Sequence, residues 1–329
     1  MGDIREGAKI LITGGAGFIG SNLVESFLKD DRVELVRVLD NLSNGYIENI
    51  EIFSNNSKFE FIEGDIREYN ICLKACDGID KISHQAALGS VPRSIENPML
   101  STEVNILGTV NLMHAAVQRK VERIILAFSS STYGDHPDLP KVEGKIGNPL
   151  SPYAVTKAAI EQFADVFGRV YNLKWIGLRY FNVFGPKQQP NNPYAAVIPI
   201  FTKAIINSQE FTINGDGETS RDFTYVGNVV QINERALWTS KEEALQQVYN
   251  TACNDQITLN QLVSHLADIT GNIPKALYGP NRAGDVRHSF ADITKAKNLL
   301  EYDPKILFRE GLEHTVNWCK AHLGNQSEK

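Results

Sequence analysis

The first half of the chain alternates short apolar runs with longer segments in which apolar positions recur at helical spacing. Residues 9–13, 34–39, 59–62, 80–84, 123–128 and 175–179 are predicted strands, while 19–29, 99–120 and a segment starting near Pro152 are predicted helices. Strands that are separated by helices form right-handed crossovers within one sheet. The pattern therefore predicts an α/β fold with a doubly wound parallel sheet.

The regular alternation ends after Tyr180. Residues 185–193 are rich in Gly, Pro, Asn and Gln, and a loop of this length in a compact domain is usually functional. The helices and short strands predicted beyond it form no second regular series. We expect one domain built from residues 1–184 plus about 224–254, which carries the sheet. About 185–223 plus 255–329 should form a smaller mixed α/β C-terminal lobe that binds the substrate.

Composition narrows the class of protein. Hydrophobic residues make up 42% and charged residues 22% of the 329 residues, and the net charge is −6, which is ordinary for a globular protein. The chain has no basic stripe, which argues against nucleic acid as a partner, and no apolar stretch of membrane-spanning length or signal-peptide form. We expect a cytoplasmic protein with reduced cysteines and no metal site.

A glycine-rich turn follows the first predicted strand and opens the first predicted helix. Gly14, Gly17 and Gly20 have a GxxGxxG spacing, which is weak by itself but stands here in the strand–turn–helix context of a dinucleotide site. The missing side chains let the backbone approach a pyrophosphate, and the helix N-terminus offers free N–H groups to that anion. A tight turn without a ligand is the alternative. We favour a Rossmann fold that binds a dinucleotide.

Two aspartates follow neighbouring predicted strands. Asp40 ends the second strand, twenty residues after Gly20, where a carboxylate accepts hydrogen bonds from both hydroxyls of an adenosine ribose. The same charge would repel a 2′-phosphate, so the spacing favours NAD over NADP. Asp65 follows the third strand and is expected near the adenine edge.

Tyr153 and Lys157 lie four residues apart at the start of a predicted helix and therefore share one of its faces. A tyrosine with a pKa of about 10 is a poor base at neutral pH. A nearby ammonium and a cationic nicotinamide should lower that pKa and make an acid/base for interconverting an alcohol and a ketone. A Tyr-x-x-x-Lys match is common on surface helices, so the pair needs further support.

That support comes from three serines, residues 129–131, which directly follow the fifth predicted strand. Ligands of open α/β sheets bind at the carboxyl ends of the strands. A serine hydroxyl at this point can hydrogen-bond the reacting oxygen of a substrate. Serine-rich turns are common, and only one of the three hydroxyls needs a catalytic role.

Together these motifs resemble the extended short-chain dehydrogenase/reductases over nearly the whole chain. The similarity is carried by the glycine turn, the two strand-end aspartates, residues 84–87, the serines, the Tyr/Lys pair and residues 179–185. Residues 129–137 and 215–223 make the chain most similar to the UDP-sugar 4-epimerases, and among them to those acting on UDP-N-acetylglucosamine and UDP-N-acetylgalactosamine. The resemblance implies an isomerase that binds NAD and a UDP-sugar.

The resemblance also implies a set of site residues. Tyr153 would be the acid/base, Lys157 would bind the nicotinamide ribose, and Ser129 would contact the reacting hydroxyl, with Ser130 or Ser131 as alternatives. The implied cofactor-binding residues are Gly14, Gly17, Phe18, Ile19, Gly20, Asp40, Asn41, Asn44, Gly45, Asp65, Ile66, Gln85, Ala86, Ala87, Asn105, Lys157, Tyr180 and Val183. The implied substrate-binding residues are Gly89, Ser90, Ser130, Ser131, Asn182, Gln188, Ala196, Val197, Asn214, Arg221, Arg282, Asp285 and Ser289.

Several of these residues have an implied partner in the substrate. Asn182 would contact the sugar diphosphate, Arg221 and Arg282 would clamp its phosphates, and Asp285 would meet the uridine ribose. The small Ser289 would leave room for an N-acetyl group, opposite Gly89 and Ser90. The N-acetyl preference is a hypothesis, and UDP-glucose or an N-acetyl uronic acid is the alternative.

The implied reaction is an oxidation at carbon 4, rotation of the bound 4-keto sugar and reduction on its other face. Dehydratases and decarboxylases of this superfamily carry a carboxylate in the turn after the serine, and here residues 129–134 contain none. A 4,6-dehydratase or decarboxylase is the second enzymatic hypothesis, and a catalytically silent NAD sensor is a third, non-enzymatic one. We also expect a homodimer, formed by helices 99–120 and the one after Tyr153.

Overall fold

Strands and helices alternate along the part of the chain that the computed structural model describes, which is residues 7–190, 195–280 and 287–323. The strands are β1 (Ala8–Thr13), β2 (Val33–Asp40), β3 (Phe59–Glu63), β4 (Lys81–His84), β5 (Arg123–Ser129), β6 (Trp175–Tyr180), β7 (Val183–Phe184), β8 (Glu210–Asn214), β9 (Ser220–Arg221), β10 (Thr224–Tyr225), β11 (Gln247–Thr251), β12 (Ile257–Thr258) and β13 (Lys275–Gly279). The helices are α1 (Phe18–Leu28), α2 (Tyr69–Ala75), α3 (Val91–Glu96), α4 (Pro98–Thr102), α5 (Thr109–Gln118), α6 (Pro152–Tyr171), α7 (Val197–Ile206), α8 (Val226–Trp238), α9 (Leu259–Thr270), α10 (Thr294–Leu300) and α11 (Phe308–Leu323).

The central sheet has seven strands in the order β3-β2-β1-β4-β5-β6-β11, and every neighbouring pair is parallel. The order of its first six strands is that of the Rossmann fold. The predicted doubly wound parallel sheet is therefore confirmed. The seventh strand, β11, comes from the segment after α8 and pairs with β6 at the edge.

Both faces of the sheet are buried, and the side chains of each strand divide between them. In β1, Ile10 and Ile12 belong to the apolar cluster on one face, while Leu11 between them belongs to the cluster on the other. All three are fully buried. This division follows from the alternating direction of side chains along a strand, and it explains why the predicted strands are apolar without alternation.

A third apolar cluster lies in the C-terminal part of the chain. It joins α7, α9 and α11 to the parallel pair of β8 and β13. Three aromatic rings, those of Phe184, Phe223 and Phe308, pack at its centre with centroids 5.4 to 6.2 Å apart. This cluster contains both helices and short strands, as expected for the C-terminal lobe. The division of the chain into two domains stays a prediction.

The prediction of one uninterrupted helix over 99–120 is wrong in one respect. A π-helical turn, Glu103–Gly108, separates α4 from α5. The hydroxyl of Thr109 donates a 2.6 Å hydrogen bond to the carbonyl of Asn105, the acceptor that an α-helix assigns to the N–H of residue 109. Such π turns recur at functional sites. No helix among the described residues is both long and apolar enough to cross a membrane.

Candidate active site

A cleft of about 480 Å³ opens at the edge of the sheet where the strands end. Because the strands are parallel, the segments that follow β1 to β6 converge at this edge. All three residues predicted to be catalytic line the cleft, and so does every predicted cofactor-binding residue except Asn105. Among the predicted substrate residues, those in the cleft are Gly89, Ser130, Asn182, Gln188 and Ala196.

The glycine turn forms a cradle that would not admit side chains. Gly14 has a φ of +68°, and a Cβ on it would lie 2.7 Å from the backbone nitrogen of Ala86. A Cβ on Gly20 would lie 2.1 Å from the carbonyl oxygen of Gly14. The helix that follows is capped by Gly17, which offers no side-chain acceptor to the first N–H groups. These features fit a pyrophosphate on the N-terminus of α1.

The two strand-end aspartates have opposite electrostatic surroundings. The carboxylate of Asp40 accepts hydrogen bonds from the N–H groups of Ala16 (3.0 Å) and Leu42 (2.8 Å), and burial raises its pKa. Asp65 is paired with Arg67 at 2.7 Å and accepts a 2.8 Å bond from Asn41, and these interactions, Arg67 first, lower its pKa to about 2. A carboxylate at the end of β2 fits the ribose hydroxyls of NAD.

Asn105 does not line the cleft and supports its wall from behind. Its amide oxygen accepts a 2.8 Å hydrogen bond from the N–H of Leu88, and its amide nitrogen donates to the carbonyl of Leu88 and to the hydroxyl of Thr156. Asn105 therefore links the loop after β4 to α6. This geometry fits the support of the cofactor pocket that the resemblance implies for Asn105, whose side chain bonds to protein partners and is 1% exposed. A direct contact with the cofactor stays a prediction.

Ser129, Tyr153 and Lys157 come together at the inner end of the cleft. Ser129 ends β5, and its oxygen accepts hydrogen bonds from the N–H (3.1 Å) and the hydroxyl (2.9 Å) of Ser131. The other two lie in the first turns of α6, as the sequence predicts. That helix begins where Ser151 accepts a 3.1 Å bond from the N–H of Ala154, a typical N-cap followed by proline.

The protein's own residues do not lower the pKa of Tyr153 by themselves. The predicted lowering, which joins the ammonium with a cationic nicotinamide, stays a prediction. Burial raises the pKa of Tyr153, and a hydrogen bond from the Ser129 hydroxyl opposes that rise. Lys157 donates instead to the carbonyl of Ala127, and its Nζ lies 5.9 Å from the centre of the Tyr153 ring. Burial also lowers the pKa of Lys157 to about 8, so the ammonium is charged at neutral pH.

The segment that follows β6 forms the opposite wall. Asn182 has a φ of +33° and donates from its amide to the carbonyl of Asp222 at 3.2 Å. The amide nitrogen of Gln188 donates to the carbonyl of Val183 at 3.2 Å. The amide oxygen of Gln188 is buried and has no hydrogen-bond partner within the described part of the chain. An acceptor in this state is costly unless a ligand satisfies it.

The remaining predicted substrate residues do not line this cleft. Ser90 caps α3, Ser131 donates to Ser129, and Arg221 donates to the carbonyls of residues 220 and 287. The others that lie outside it are Val197, Asn214 and Ser289. Their proposed contacts with substrate stay predictions. Arg282 and Asp285 lie outside the described residues.

Sequence reasoning missed part of the lining. The additional residues are Leu39, Ser43, Gly64, Leu88, Val104, Ala127 and Phe128. All but Ala127 are direct sequence neighbours of predicted residues, so extending each motif by one residue would have found them. Ala127 is the exception, because it lies two residues before Ser129 on β5.

A seven-stranded Rossmann sheet with a glycine cradle and a Ser/Tyr/Lys cluster defines an enzyme of the short-chain dehydrogenase/reductase type. Comparison with known families agrees, since residues 10–252 match the NAD dependent epimerase/dehydratase family. The chain belongs to this family, and the resemblance found from its motifs is confirmed. Its family is NAD-dependent, in agreement with the cradle and Asp40.

Individual relatives are similar over nearly their whole length. A UDP-glucose 4-epimerase of Mycolicibacterium smegmatis is 35% identical over 314 residues, which cover 95% of this chain and 98% of the relative. A UDP-N-acetylglucosamine 4-epimerase from Methanobrevibacter ruminantium, in complex with UDP-N-acetylmuramic acid, has a TM-score of 0.90 and 36% identity, covering 96% and 99% of the two chains. A UDP-glucuronic acid 4-epimerase from Bacillus cereus, in complex with UDP-glucuronic acid and NAD, has a TM-score of 0.89 and 31% identity, covering 95% and 99%.

Proposed function

We propose that this protein is an NAD-dependent UDP-sugar 4-epimerase and that it interconverts UDP-N-acetylglucosamine and UDP-N-acetylgalactosamine. The observation that carries the reaction type is the joint position of Ser129, Tyr153 and Lys157 in a cleft whose serine turn, residues 129–134, contains no carboxylate. A dehydratase or decarboxylase needs a further acid or base at this turn. Relatives named as 4-epimerases of three different UDP-sugars support the reaction type more than the substrate.

The residues divide the proton chemistry between them. In its ionised form, which the neighbouring charge of Lys157 favours, Tyr153 accepts the proton of the 4-hydroxyl and returns it after the sugar has turned, and the Ser129 hydroxyl holds the reacting oxygen and the phenol in line. Lys157 supplies positive charge, since it is buried yet charged at neutral pH. NAD, which the glycine cradle and Asp40 would hold, would supply reversible hydride transfer at carbon 4 when bound.

Gln188 supports an N-acetyl substrate. Gln188 lines the cleft, and its buried amide oxygen lacks a partner among the described residues, so we assign it to accept a hydrogen bond from an N–H group of the substrate. An acetamido group provides such an N–H, and it is a better match than the hydroxyl of glucose because it donates in one fixed direction. Gly89, which also lines the cleft, leaves space there, because a Cβ on it would meet nothing within 4 Å.

The charge of the cleft argues against a uronic acid. Among the described residues that line it, Lys157 has the sole cationic side chain, and that ammonium is committed to Ala127 and the catalytic cluster. Lys187, on the loop beside Gln188, is paired with Glu25 of α1 at 3.2 Å. Arg93, which is not part of the lining, donates to the amide oxygen of Asn44 in the lining at 3.2 Å. Among the described lining residues, none offers a sugar carboxylate an uncommitted positive charge, and a desolvated carboxylate without one is costly.

The experiment incubates the purified protein, with no added cofactor, with UDP-N-acetylglucosamine, UDP-glucose and UDP-N-acetylglucosaminuronic acid in separate reactions. Anion-exchange chromatography and mass spectrometry resolve the products. We expect an equal-mass product mainly from the first, and none from Tyr153→Phe. A product lighter by water would instead establish a dehydratase, and no product from any sugar, even after NAD is added, would refute the proposed activity.

Gln188→Ala should weaken turnover of the N-acetyl sugar more than that of UDP-glucose.

We propose, further, that residues 1–184 with about 224–254 form the NAD-binding domain and that about 185–223 with 255–329 form the substrate lobe. The pairing of β11 with β6 and the separate third apolar cluster support this division. Limited proteolysis with and without UDP tests it. UDP should protect the second set of residues more than the first.

A homodimer is the proposed assembly. Val155, Phe163, Val166 and Val170 lie on one face of α6 at helical spacing, and they remain exposed together with Met99 of α4, which is 70% exposed. A continuous apolar face on two adjacent helices is typical of an interface. A second copy of this chain, packed helix against helix, would cover it. Light scattering should give a dimer for the protein and a monomer for Val170→Glu.

A further inference from the structure

A buried ion pair lies behind the proposed catalytic residues. Arg179, on β6, donates to both carboxylate oxygens of Glu161 on α6, at 2.9 and 2.7 Å, and the two side chains are 3% and 11% exposed. Two parallel charge-assisted bonds fix the orientation of the carboxylate. A buried ion pair adds little net stability compared with apolar side chains of the same size. The fixed geometry of the Arg179–Glu161 pair therefore indicates a role other than stability.

Glu161 connects the two elements that carry the catalytic groups. It follows Lys157 by one helical turn and Tyr153 by two. Its Oε1 accepts a hydrogen bond from the hydroxyl of Thr132 at 3.2 Å. Thr132 belongs to the short helical turn 130–133 that directly follows Ser129. One carboxylate thus joins the turn after β5 to the helix with the tyrosine and the lysine.

Arg179 holds the same turn from its other side. Its guanidinium carbon lies 4.8 Å from the centre of the Tyr133 ring, a stacking arrangement that favours a cation over an aromatic face. The hydroxyl of Tyr133 donates to the amide oxygen of Asn250 on β11 at 2.6 Å. The turn is therefore fixed at Thr132 and at Tyr133, two consecutive residues, by the two members of one ion pair.

We propose that Glu161, held by Arg179, is a positioning residue that sets the register of Ser129 against Tyr153 and Lys157 through its bond to Thr132. The catalytic meaning of this inference rests on the proposed function. That Glu161 and Arg179 hold the turn rests only on their ion pair, on the bond from Thr132 to Glu161 and on the packing of Arg179 against Tyr133. A shift of the turn would move the Ser129 oxygen away from the phenol. Misplacement of a catalytic group by about 1 Å costs as much as 10²-fold in rate.

Glu161 also acts on the charge of Lys157. Burial lowers the pKa of Lys157, and the negative charge of Glu161 opposes that lowering. The other titratable groups around the ammonium are Tyr153 and His84, and burial keeps both neutral at pH 7. The carboxylate of Glu161 is therefore the charge that opposes the effect of burial on the ammonium. Removing it lowers the pKa of Lys157 further.

The first test measures that pKa directly, with no need for a substrate. The protein is labelled with ¹³C at the ε-carbon of lysine and titrated by NMR, and Lys157→Arg identifies the resonance. Glu161→Gln should lower the pKa of Lys157 by about one unit, tenfold in the ionisation constant. The matched control is Glu60→Gln, which removes a carboxylate from the Arg37 pair between β2 and β3 and should leave it unchanged. An unchanged value in Glu161→Gln would overturn the electrostatic part.

The second test isolates the bond to the turn and avoids disturbing the ion pair. Thr132→Val should lower kcat about tenfold with little change in KM, and Thr132→Ser, which restores the hydroxyl, should recover kcat. Equal losses in both variants, or no loss in Thr132→Val, would refute the positioning role. If the wild-type protein converts no UDP-sugar, the proposed function fails. In that case the chemical shift of the Tyr153 ring, which should move in Thr132→Val and return in Thr132→Ser, decides the positioning role.

Discussion

The ammonium of Lys157 donates a hydrogen bond to the backbone carbonyl of Ala127, with 2.7 Å between Nζ and O. This bond ties the first turns of α6 to β5, one residue before Phe128 and two before Ser129. A strand carbonyl is a fixed acceptor, so the lysine is oriented before any ligand binds, and its other N–H groups remain for the cleft. The lysine therefore has a structural partner as well as its proposed role.

The pH dependence of activity should have its alkaline limb at Lys157. Burial lowers the pKa of this lysine to about 8, so the side chain is charged below that pH and neutral above it. We expect kcat to fall as the pH rises through about 8, because the phenolate loses its neighbouring charge. In Lys157→Arg, whose guanidinium stays charged, the remaining activity should persist to higher pH. A limb at the same pH in both proteins would assign it to another group.

The serine turn predicts a graded response to three single substitutions. Ser129 and Ser130 line the cleft, whereas Ser131 donates to Ser129 and does not line it. Ser129→Ala should lower kcat about a hundredfold, since it removes the partner of the phenol. Ser131→Ala should cost only a few-fold, the effect of one supporting hydrogen bond. Steady-state kinetics of the three variants measures this order, and a larger loss in Ser130→Ala would transfer the role to that residue.

What the sequence could predict depended on how local the cause was. The glycine cradle, Asp40 and the start of α6 follow from spacings within a few residues, and the structure has them where expected. Parallel strands bring their ends to one edge, which placed most of the cleft correctly. By contrast, the bonds from Lys157 to Ala127 and from Thr132 to Glu161 join residues about 30 apart. Such contacts depend on how elements pack, and no spacing encodes them.

Burial was the other quantity that the sequence did not provide. The spacing of Tyr153 and Lys157 suggests a charge that lowers the tyrosine pKa, but desolvation is the larger influence and raises it. The π-helical turn was missed for a related reason, since the bond from Thr109 to Asn105 is a side-chain choice within a regular apolar pattern. The amide oxygen of Gln188, which has no partner among the residues that the structure describes, likewise emerges only from the packed structure.

The glycine cradle predicts a sharp loss of cofactor in Gly20→Ala. In an ordinary helix this change is favourable, because alanine has the higher helix propensity. Here the new methyl group would lie 2.1 Å from the carbonyl oxygen of Gly14, so the turn must shift. We expect NAD to bind at least about tenfold more weakly, or 1.4 kcal/mol, as measured by calorimetry. Gly144→Ala, where a Cβ meets nothing within 4 Å, is the control, and equal NAD affinity in both would contradict the cradle.

Asp222 provides a prediction about stability. It is fully buried, and its carboxylate accepts hydrogen bonds from the N–H groups of Cys253 (2.9 Å) and Ala291 (3.3 Å). Burial raises its pKa to about 7. The folded protein thus binds a proton at this site at pH values where the unfolded chain, with an ordinary aspartate pKa of about 4, has released it. The stabilisation is complete below about pH 4 and is lost as the pH rises through about 7.

Asp222→Asn should remove this dependence, because asparagine resembles the protonated acid and does not titrate. The free energy of unfolding is measured in urea at pH 5 and at pH 8 for both proteins. Between these two pH values it should fall by on the order of 3 kcal/mol more in the wild-type protein than in the variant. Carboxylates with lowered pKa values, such as Asp65, change stability in the opposite direction, and they cancel when the two proteins are compared at each pH. A difference between the proteins that is the same at both pH values would mean that Asp222 is ionised throughout, and that the backbone N–H groups bonded to it outweigh its burial.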